Sequence, residues 1–461
     1  MERFLKFRSD HPTFTYRSYS ITETEDAIEA SWSFSIDGLA EFSPSWNFPK
    51  PEGFASVSDR TLERLVFSLG MAEAVSYWKA ACCPTVRVLC GQLSPEQISW
   101  WKKLWFMGLG EFFYVNKIST DMDSFVEIVP ENCGFSAESS PELPELSGCL
   151  VPIGGGKDSA LTLETLTQAG MKCRCYAINK RCSISATVET AGLPESALIT
   201  AKRRFDRSLI SLNEKGYLNG HTPFSAIVAF SAEITAYLNR LKYVVLSNED
   251  SANESTVIGQ NVNHQYSKSF EFERDFHEYE EKNLGTGVYY FSFLRPLSEF
   301  QIAKMFASHS KYLPIFRSCN LGSKVSPDIW CGNCPKCLFV ALILSPFLSR
   351  SQLAQIFGKD LLDSPDMVDY FHELTGRSLH KPFECVGSID EVVLAVSLAI
   401  RKMKESGQEL PLLMRDFEGS GLYQPETLDQ RNAACCGYFS ENNLLPDSFR
   451  AILTKEMERL L

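Results

Sequence analysis

The sequence from Leu150 to Leu161 reads LVPIGGGKDSAL. A short apolar run precedes three glycines, and the chain then continues with a helical pattern, which predicts a strand, a tight turn and a helix in that order. Glycine lets the backbone reach positive φ and approach a ligand closely. The first turn of the helix adds unpaired N–H groups and a positive dipole end. The stretch therefore predicts an anion site that suits phosphate.

Strands and helices continue to alternate downstream of this stretch. CRCYAIN (Cys173–Asn179) and YVVLSNED (Tyr243–Asp250) have the apolar character of buried strands, and FSAIVAFSAEITAYLNRL (Phe224–Leu241) has a helical apolar period. Strands that alternate with helices predict a parallel sheet. The predicted fold class is therefore α/β, with a parallel sheet that includes the glycine stretch.

The regions on either side of this α/β segment differ from it. TFTYRSYSITET and EASWSFSID alternate as strands do, and two helices follow, one starting after Asp59 and one after Ser94, with Pro95 and Gln97 completing the second cap. The Pro-rich ESSPELPELSG reads as a linker. We predict an N-terminal α+β domain, an α/β domain and a mainly helical C-terminal region, at residues 1–145, 146–337 and 338–461.

The composition is that of a globular protein with an acidic surface. Of 461 residues, 44% are apolar and 22% are charged, and 45 Lys and Arg face 57 Asp and Glu, for a net charge of -12. This balance opposes non-specific binding to nucleic acid or to anionic membranes. The N-terminus lacks a signal-peptide core, and the longest apolar run, Cys337–Leu348, is shorter than the roughly 20 residues that span a bilayer. We expect a cytoplasmic protein without nucleic-acid or membrane partners.

The glycine stretch fits neither of the two common nucleotide fingerprints, because GGGKDS lacks both the G-x-x-x-x-G-K-[ST] and the G-x-G-x-x-G spacing. It resembles the SGGxDS loop of the PP-loop ATP pyrophosphatases, which grips the phosphates while ATP is cleaved to AMP and pyrophosphate. The resemblance implies that Asp158 helps to hold Mg²⁺, that Ser159 binds phosphate and that Lys157 neutralises charge. The alternative is an ordinary glycine turn. The matched residues are Gly154 (in place of the first serine), Gly155, Gly156, Lys157 (at the variable position), Asp158 and Ser159.

Two asparagines stand at predicted strand ends. Asn179 follows CRCYAI and Asn248 follows YVVLS. In open α/β sheets the ligand lies beyond the carboxyl ends of the strands, so both side chains are candidates to contact adenosine or phosphate. Simple turn chemistry is the alternative explanation for both.

Four cysteines are clustered in RSCNLGSKVSPDIWCGNCPKC with the spacing C-x11-C-x2-C-x2-C. Four thiolates in a cytosolic chain suit a closed, tetrahedral, structural Zn²⁺ site. An iron–sulfur cluster and a redox pair are the alternatives, since C-x2-C-x2-C also occurs in iron–sulfur proteins. A similar arrangement follows the PP-loop domain of the 7-cyano-7-deazaguanine synthases. The candidate ligands are Cys319, Cys331, Cys334 and Cys337.

A closer family resemblance rests on six further stretches, NGHTPFSA, NEDSANE, NHQYSKSFEFE, RPLSEFQIAK, CGNCPKC and KPFECVG. With GGGKDS they resemble the UDP-N-acetylmuramoyl-L-alanyl-L-glutamate epimerases of bacterial peptidoglycan synthesis, from about Gly70 to Gly387. The resemblance implies inversion of the terminal L-glutamate of a UDP-linked muramyl dipeptide, with consumption of ATP, a need for Mg²⁺ and release of AMP and pyrophosphate. An acyl-adenylate would make the α-proton far more acidic, because it removes the carboxylate charge.

The inversion needs proton carriers on both faces of the α-carbon. Cys385 in KPFECVG is the first candidate, by analogy with the paired cysteines of cofactor-free glutamate racemases, and Glu384 beside it points elsewhere if the segment is extended. Histidine titrates in the right range, which makes His264 and His221 candidates. Lys268 suits a pyrophosphate group. The alternatives are a structural thiol, a capping or core histidine and a solvated lysine. Two further candidates are Tyr266 and Arg295, the latter with a surface ion pair as its alternative.

Two other functions are compatible with the loop and the cysteines. A different PP-loop enzyme would make an amide or a nitrile from a carboxylic acid, or would modify tRNA, although the acidic balance argues against tRNA. A zinc-stabilised regulator would bind ATP without turning it over. The leading prediction is the epimerase, with ATP, Mg²⁺ and structural Zn²⁺ as cofactors and the UDP-N-acetylmuramoyl dipeptide as substrate. The sequence carries no signal for the oligomeric state.

Overall fold

From residue 149 to residue 307 strands alternate with helices, as the apolar periodicities predict. The computed structural model describes residues 1–51, 54, 59–131, 145–253, 266–382 and 384–461. The strands in these ranges are β1 Thr13–Glu23, β2 Ala27–Ile36, β3 Ala40–Phe42, β4 Ser45–Pro49, β5 Thr85–Val88, β6 Glu127–Pro130, β7 Cys149–Pro152, β8 Cys173–Ile178, β9 Leu198–Arg204, β10 Tyr243–Leu246 and β11 Tyr289–Ser292. The α-helices are α1 Glu2–Asp10, α2 Arg60–Trp78, α3 Pro95–Gly108, α4 Gly110–Val115, α5 Lys157–Gln168, α6 Cys182–Thr190, α7 Ser208–Glu214, α8 Phe224–Leu238, α9 Phe270–Tyr279, α10 Glu299–Ala307, α11 Pro335–Leu344, α12 Arg350–Phe357, α13 Val368–Leu374, α14 Ile389–Glu405, α15 Leu412–Gly419, α16 Leu428–Cys436 and α17 Asp447–Leu460.

The chain forms two compact units, each built from three segments. With the undescribed residues set aside, unit 1 consists of Met1–Leu150, Ile199–Val244 and Val262–Tyr290. Unit 2 consists of Val151–Leu198, Val245–Asn261 and Phe291–Leu461.

Unit 1 is organised around the strands β9, β4, β2, β1, β5 and β6, which neighbour one another in that order. The long strands β1 and β2 pair antiparallel, with Phe14 opposite Ile36, whereas β5 pairs parallel to β1. Side chains alternate between buried and less buried positions along β2, as expected for a strand with one face on the core. Four of the five tryptophans between Trp46 and Trp105 are fully buried, so these aromatic side chains form the core.

Two helices of unit 1, α2 and α3, begin where their caps predict. The Asp59 carboxylate accepts a hydrogen bond from the Thr61 N–H at the start of α2. Ser94 and Gln97 form a reciprocal capping box at the start of α3, and Pro95 occupies its first turn. Each arrangement satisfies N–H groups that a helix leaves unpaired, so these boundaries were predictable from a few adjacent residues.

A second group of strands has the order β8, β7, β10 and β11. β7 and β10 are parallel, and the Ile153 N–H after β7 donates to the Tyr176 carbonyl of β8 at 2.8 Å. The order reverses at β7, because the next strand lies on one side of it and β10 lies on the other. Such a switch point opens a crevice beyond the carboxyl ends of the strands. The prediction of a mixed α/β fold with a largely parallel central sheet is confirmed, and the glycine stretch follows the strand at which the order reverses.

The core of unit 2 is built on α11. Apart from Lys336 near its start, this helix carries apolar side chains on every side and is buried from Lys336 to Leu344, with α10 and α14 packed against it. Cys319, Cys334 and Cys337 are buried within the same core. In the described ranges, no helix is both long enough and apolar enough to cross a bilayer.

Unit 1 also contains a buried pair of carboxyl groups that predicts a pH-dependent stability. The Thr286 hydroxyl lies 2.6 Å from Glu233 Oε1 and 2.7 Å from Glu280 Oε1, although it carries a single proton. Glu280 Oε1 already accepts the N–H groups of Thr286 and Gly287, so Glu233 is the carboxyl that supplies the second proton. Burial, with the Glu280 charge as a smaller cause, raises the pKa of Glu233 well above its ordinary value of 4.5.

Replacing Glu233 should therefore change how stability responds to pH. The folded state holds the Glu233 proton at pH values where the unfolded chain has lost it, so this group makes the free energy of unfolding fall as the pH rises above about 4.5. Glu233→Gln should flatten that decline in urea unfolding measured from pH 5 to pH 8. The exposed Glu214→Gln serves as the matched control. Equal slopes for both variants and the wild type would contradict the assignment of the proton.

Candidate functional site

The glycine loop connects β7 to α5 at the point where the strand order reverses. Gly155 has φ +85°, a conformation that residues with a Cβ rarely adopt. Gly156 precedes the first residue of the twelve-residue helix α5. Because glycine has no side chain, nothing at this position caps the first N–H groups of the helix. The loop therefore leaves uncapped backbone N–H groups and the positive end of a helix dipole just beyond the carboxyl end of β7.

The three glycines are not equivalent. A Cβ on Gly155 would lie 2.2 Å from Ser183 Oγ, and one on Gly156 would lie 3.1 Å from the Ser318 Cβ. A Cβ on Gly154 would meet nothing within 4 Å among the described residues. Only the second and third glycines are therefore required by close packing, and Gly154 is the position at which this loop departs from the SGGxDS pattern that it resembles.

Lys157 is buried and held between two carboxylates. Its ammonium donates to Asp158 Oδ1 and to Glu299 Oε2. Burial alone would lower the pKa of Lys157, but these two carboxylates outweigh it and raise the pKa above its ordinary value. In Glu299, by contrast, burial is the largest effect and raises the pKa of the carboxyl, with Lys157 opposing the shift. Lys157 is the charged member of this pair, because the Asp158 carboxylate also accepts a hydrogen bond from its ammonium group.

Acidic side chains surround this lysine at the ends of neighbouring elements. Glu299 is the first residue of α10, whose start is fixed by a capping box between Ser298 and Gln301. The charges of Asp158 and Glu249 both act on Glu299 and raise its pKa further. Asp158 is the most accessible of the three, with 29% of its side chain exposed. Its carboxylate is an oxygen ligand of the type that Mg²⁺ takes together with phosphate oxygens.

Arg295 lies next to this acidic group. It is fully buried, and its Nη1 donates to the Glu249 carbonyl at 2.5 Å. The alternative of a surface ion pair for Arg295 is therefore wrong, because its guanidinium is taken up inside unit 2 and holds the chain that follows β10. The sequence could not show this, since burial depends on how the strands are ordered.

The two asparagines at strand ends have different environments. Asn179 follows β8, is exposed and has φ +55°. Asn248 follows β10, and its Nδ2 donates to Ser292 Oγ at 3.0 Å. Asn248 thus joins the ends of β10 and β11, whereas Asn179 lies in an exposed bend just after β8.

The four cysteines come together as their spacing predicts. Their sulfur atoms all lie within 4.8 Å of one another, with Cys319–Cys334 at 3.8 Å, Cys331–Cys337 at 3.7 Å and Cys334–Cys337 at 3.5 Å. A tetrahedral Zn²⁺ with bonds of about 2.3 Å requires sulfur separations of about 3.8 Å. The N–H groups of Gly322 and Asn333 donate to two of the sulfurs, at 3.2 and 3.4 Å, which stabilises thiolate charge. The geometry fits a structural metal held by four thiolates.

The KPFECVG segment lies between the cysteine cluster and the lysine network. The Glu384 carboxylate accepts a hydrogen bond from Asn320, and the Cys385 carbonyl accepts one from Lys336. A Cβ on Gly387 would lie 3.1 Å from the Glu299 Cβ. The structure thus brings the segment of Cys385 to the carboxylate that pairs with Lys157. Phe383 lies outside the described residues.

The remaining candidates belong to unit 1 or lie outside the described residues. His221 Nδ1 is 3.2 Å from Glu111 Oε2, and the carbonyls of Gly220 and His221 accept hydrogen bonds from Lys79. Lys268 is half-buried at the end of a short helical turn. Tyr266, in the same turn, is buried, and burial raises the pKa of its hydroxyl, which keeps it protonated at neutral pH. His264 lies outside the described residues.

Several residues that shape the loop had no motif of their own. Glu299 lies within the stretch RPLSEFQIAK. The S-x-x-Q capping box in this stretch marks where the helix starts, but it does not indicate which residue pairs with the Glu299 carboxylate. Ser183, Arg317 and Asp328 contact the loop or one another from distant parts of the sequence. No local signal could have found these three, because sequence patterns report periodicity and not long-range contacts.

Comparison with known proteins assigns the chain to one family, because two models of that family match successive parts of it. The family models for the MurL N-terminal domain and the MurL C-terminal domain match residues 6–293 and 315–417. A protein of Micromonospora sp. named UDP-N-acetyl-alpha-D-muramoyl-L-alanyl-L-glutamate epimerase is 37% identical over 397 residues, which cover 84% of this chain and 86% of that protein. Proteins of the same name from Salinispora tropica and Xanthomonas oryzae pv. oryzae are 36% and 33% identical, and they cover 84% and 80% of this chain and 84% and 82% of their own length.

Proposed function

The chain belongs to the MurL family, and from that premise we propose that it is an ATP-dependent epimerase that converts the terminal L-glutamate of UDP-N-acetylmuramoyl-L-Ala-L-Glu to D-glutamate. The names of its relatives support the epimerase activity. The observation that carries the dependence on ATP is the glycine loop at the switch point, with helix α5 directed at the crevice. We assign the domain that contains this loop to the PP-loop fold. We place the protein in the cytoplasm, where UDP-linked precursors are made.

In this proposal the loop binds the phosphates of ATP. The N–H groups after Gly154, Gly155 and Gly156 and the hydroxyl of Ser159 face the phosphates, and Lys157 neutralises the charge of the leaving pyrophosphate. Asp158 holds Mg²⁺, which offsets phosphate charge when it is bound. Asn179 and Asn248, at the ends of β8 and β10, contact the nucleoside or the phosphates. Since Lys157 is paired with Asp158 and Glu299, arriving phosphates compete with those carboxylates for its charge.

The chemistry then follows in three steps. A carboxylate oxygen of glutamate attacks the α-phosphorus of ATP, and pyrophosphate leaves with the bonding electron pair. In the acyl-adenylate the carbonyl group no longer carries the carboxylate charge, so a base can remove the α-proton, and an acid on the opposite face returns a proton to the same carbon. Water then cleaves the acyl–phosphate bond, releasing AMP and the D-configured carboxylate. The hydrolysis of ATP thus supplies the activation that the inversion requires.

Cys385 is the proton carrier that we favour, with Glu384, His264, His221 and Lys268 as further candidates for the second face or for binding the diphosphate. The supporting contact is that of Gly387 with Glu299, which places the segment of Cys385 beside the lysine network. The Cys385 carbonyl accepts a hydrogen bond from Lys336 and the neighbouring Glu384 carboxylate accepts one from Asn320, so two contacts hold the backbone that carries the thiol.

Replacing Cys385 should separate the two half-reactions. Cys385→Ser should form D-glutamate about 10²–10⁴-fold more slowly, the usual effect of losing a general acid or base, while it still converts ATP to AMP in the presence of substrate. Chiral analysis of glutamate after acid hydrolysis, together with AMP quantification, measures both. Cys173→Ser, another half-buried thiol, is the matched control. Full epimerisation by Cys385→Ser would remove this residue from the candidates.

The proposed function is tested with purified protein, ATP, Mg²⁺ and UDP-N-acetylmuramoyl-L-Ala-L-Glu. We expect D-glutamate in the product and AMP with pyrophosphate in step with it. Product without any use of ATP would refute the adenylate, and the absence of D-glutamate would refute the epimerase. A parallel reaction with ammonia tests the amide-forming or nitrile-forming alternative, which predicts AMP release that depends on ammonia.

A further inference from the structure

The eleven-residue spacer between Cys319 and Cys331 does more than connect two ligands. The residues that lead into it touch the glycine loop, because the Arg317 N–H donates to the Gly155 carbonyl at 2.6 Å. Ser318 is the residue whose Cβ lies 3.1 Å from a Cβ built on Gly156. The chain immediately before the first cysteine therefore forms one wall of the loop.

Asp328, near the far end of the spacer, forms a second contact. It is 8% exposed, and its carboxylate accepts hydrogen bonds from both the backbone N–H and the hydroxyl of Ser183. The Ser183 hydroxyl in turn lies where a side chain on Gly155 would have to go. Asp328 thus fixes the start of α6 and the atom that packs on the most constrained glycine.

The shape of the spacer depends on the cysteine site. The Gly322 N–H donates to Cys319 Sγ, and the backbone at Gly322 passes so close to Ile329 that an added Cβ would lie 1.8 Å from its carbonyl oxygen. Trp330 Nε1 donates to the Phe316 carbonyl at 3.0 Å, which joins the two ends of the segment. The first turn of the spacer thus packs on the Cys319 sulfur, and one metal shared by Cys319 and Cys331 would tie the two ends of the spacer together.

We propose that Asp328 and Ser183 are positioning residues of the glycine loop, and that metal bound by the four cysteines sets the loop's affinity for ATP through the spacer that carries Asp328. The inference rests on the proposed function in one respect, since it takes ATP as the ligand of the loop. Its physical basis is that uncapped N–H groups bind phosphate well only when their directions are fixed beforehand. The metal fixes the spacer, and the spacer fixes the loop.

The test measures binding of α,β-methylene-ATP with Mg²⁺ by titration calorimetry, with metal content and circular dichroism recorded for each sample. We expect Asp328→Ala and Ser183→Ala to weaken binding at least tenfold at unchanged metal content, and Asp328→Asn, which keeps one acceptor for Ser183, to weaken it less. In turnover these variants should raise KM for ATP more than they lower kcat. Chelator-treated wild-type protein that keeps its helical signal should also bind at least tenfold more weakly and recover with added Zn²⁺.

Asp360→Ala is the matched control. Asp360 also accepts a backbone N–H, that of Leu362, and pairs with Arg350, but it lies in a different part of unit 2. Loss of ATP affinity in this control equal to that in Asp328→Ala would show a general stability effect and overturn the inference. Wild-type affinity in Asp328→Ala and Ser183→Ala, or in folded metal-free protein, would also overturn it. Failure of the metal-loaded wild type to bind the analogue would instead refute the proposed ATP site. If Asp328→Ala does not fold, Ser183→Ala and Asp328→Asn decide the matter.

Discussion

Gly155→Ala should lower the rates of AMP and D-glutamate formation by more than about a hundredfold, since a displacement of about 1 Å at a reacting group can have that effect. The added Cβ would lie 2.2 Å from Ser183 Oγ, and the backbone at φ +85° disfavours any side chain. Ser183 cannot easily move away, because Asp328 holds both its hydroxyl and its N–H. The loop itself must therefore shift, and its N–H groups move with it. Steady-state assays of AMP and of D-glutamate measure the effect.

Gly154→Ala is the control for this variant. It adds the same methyl group one residue earlier, where a Cβ meets nothing within 4 Å among the described residues. We expect a smaller loss of rate than in Gly155→Ala, since neither a clash with the protein nor backbone strain opposes the change. Equal losses in the two variants would mean that the loop is merely sensitive to any added group, and equal activity in both would mean that the loop does not serve catalysis.

Loss of one cluster cysteine should have the largest effect on stability. Cys337 is fully buried, with its sulfur 3.5 Å from that of Cys334 and 3.7 Å from that of Cys331. Structural Zn²⁺ contributes about 10–16 kcal/mol to the folding of zinc-finger peptides, which is comparable to the roughly 5–15 kcal/mol stability of a whole protein. Cys337→Ser should therefore abolish metal binding and lower the free energy of unfolding by several kcal/mol. Elemental analysis and urea unfolding measure the two effects.

Cys175→Ser separates loss of metal from the cost of burying a hydroxyl. Cys175 is buried in β8 and is not one of the four clustered thiols, so its replacement should cost about 1–3 kcal/mol without loss of metal. Stoichiometric Zn²⁺ in the wild type would support a structural zinc site. Iron with a visible absorption band would instead indicate an iron–sulfur cluster. A metal-free wild type of full stability would contradict the prediction.

The sequence predicted local features well because a few adjacent residues determine them. The capping box of Ser94 and Gln97, the cap of α2 at Asp59 and the turn from β7 into α5 all depend on groups within about four positions of one another. The cysteine spacing belongs to the same class, since two of its three intervals are two residues long and the ligands can reach a common centre. Both the glycine loop and the cluster were therefore visible before the fold was known.

The surroundings of that loop were decided by the tertiary structure. Lys157 pairs with Glu299 across 142 positions, and Ser183 pairs with Asp328 across 145. Arg295, for which a surface ion pair was a plausible reading, is fully buried. Such partners are set by the order of strands in a sheet and by the helices packed on it, and periodicity carries no information about either. The sequence by itself determined the glycine turn between a strand and a helix and which thiols can meet. Only the fold decided which buried charges surround that turn, because long-range contacts form where topology, and not proximity along the chain, brings side chains together.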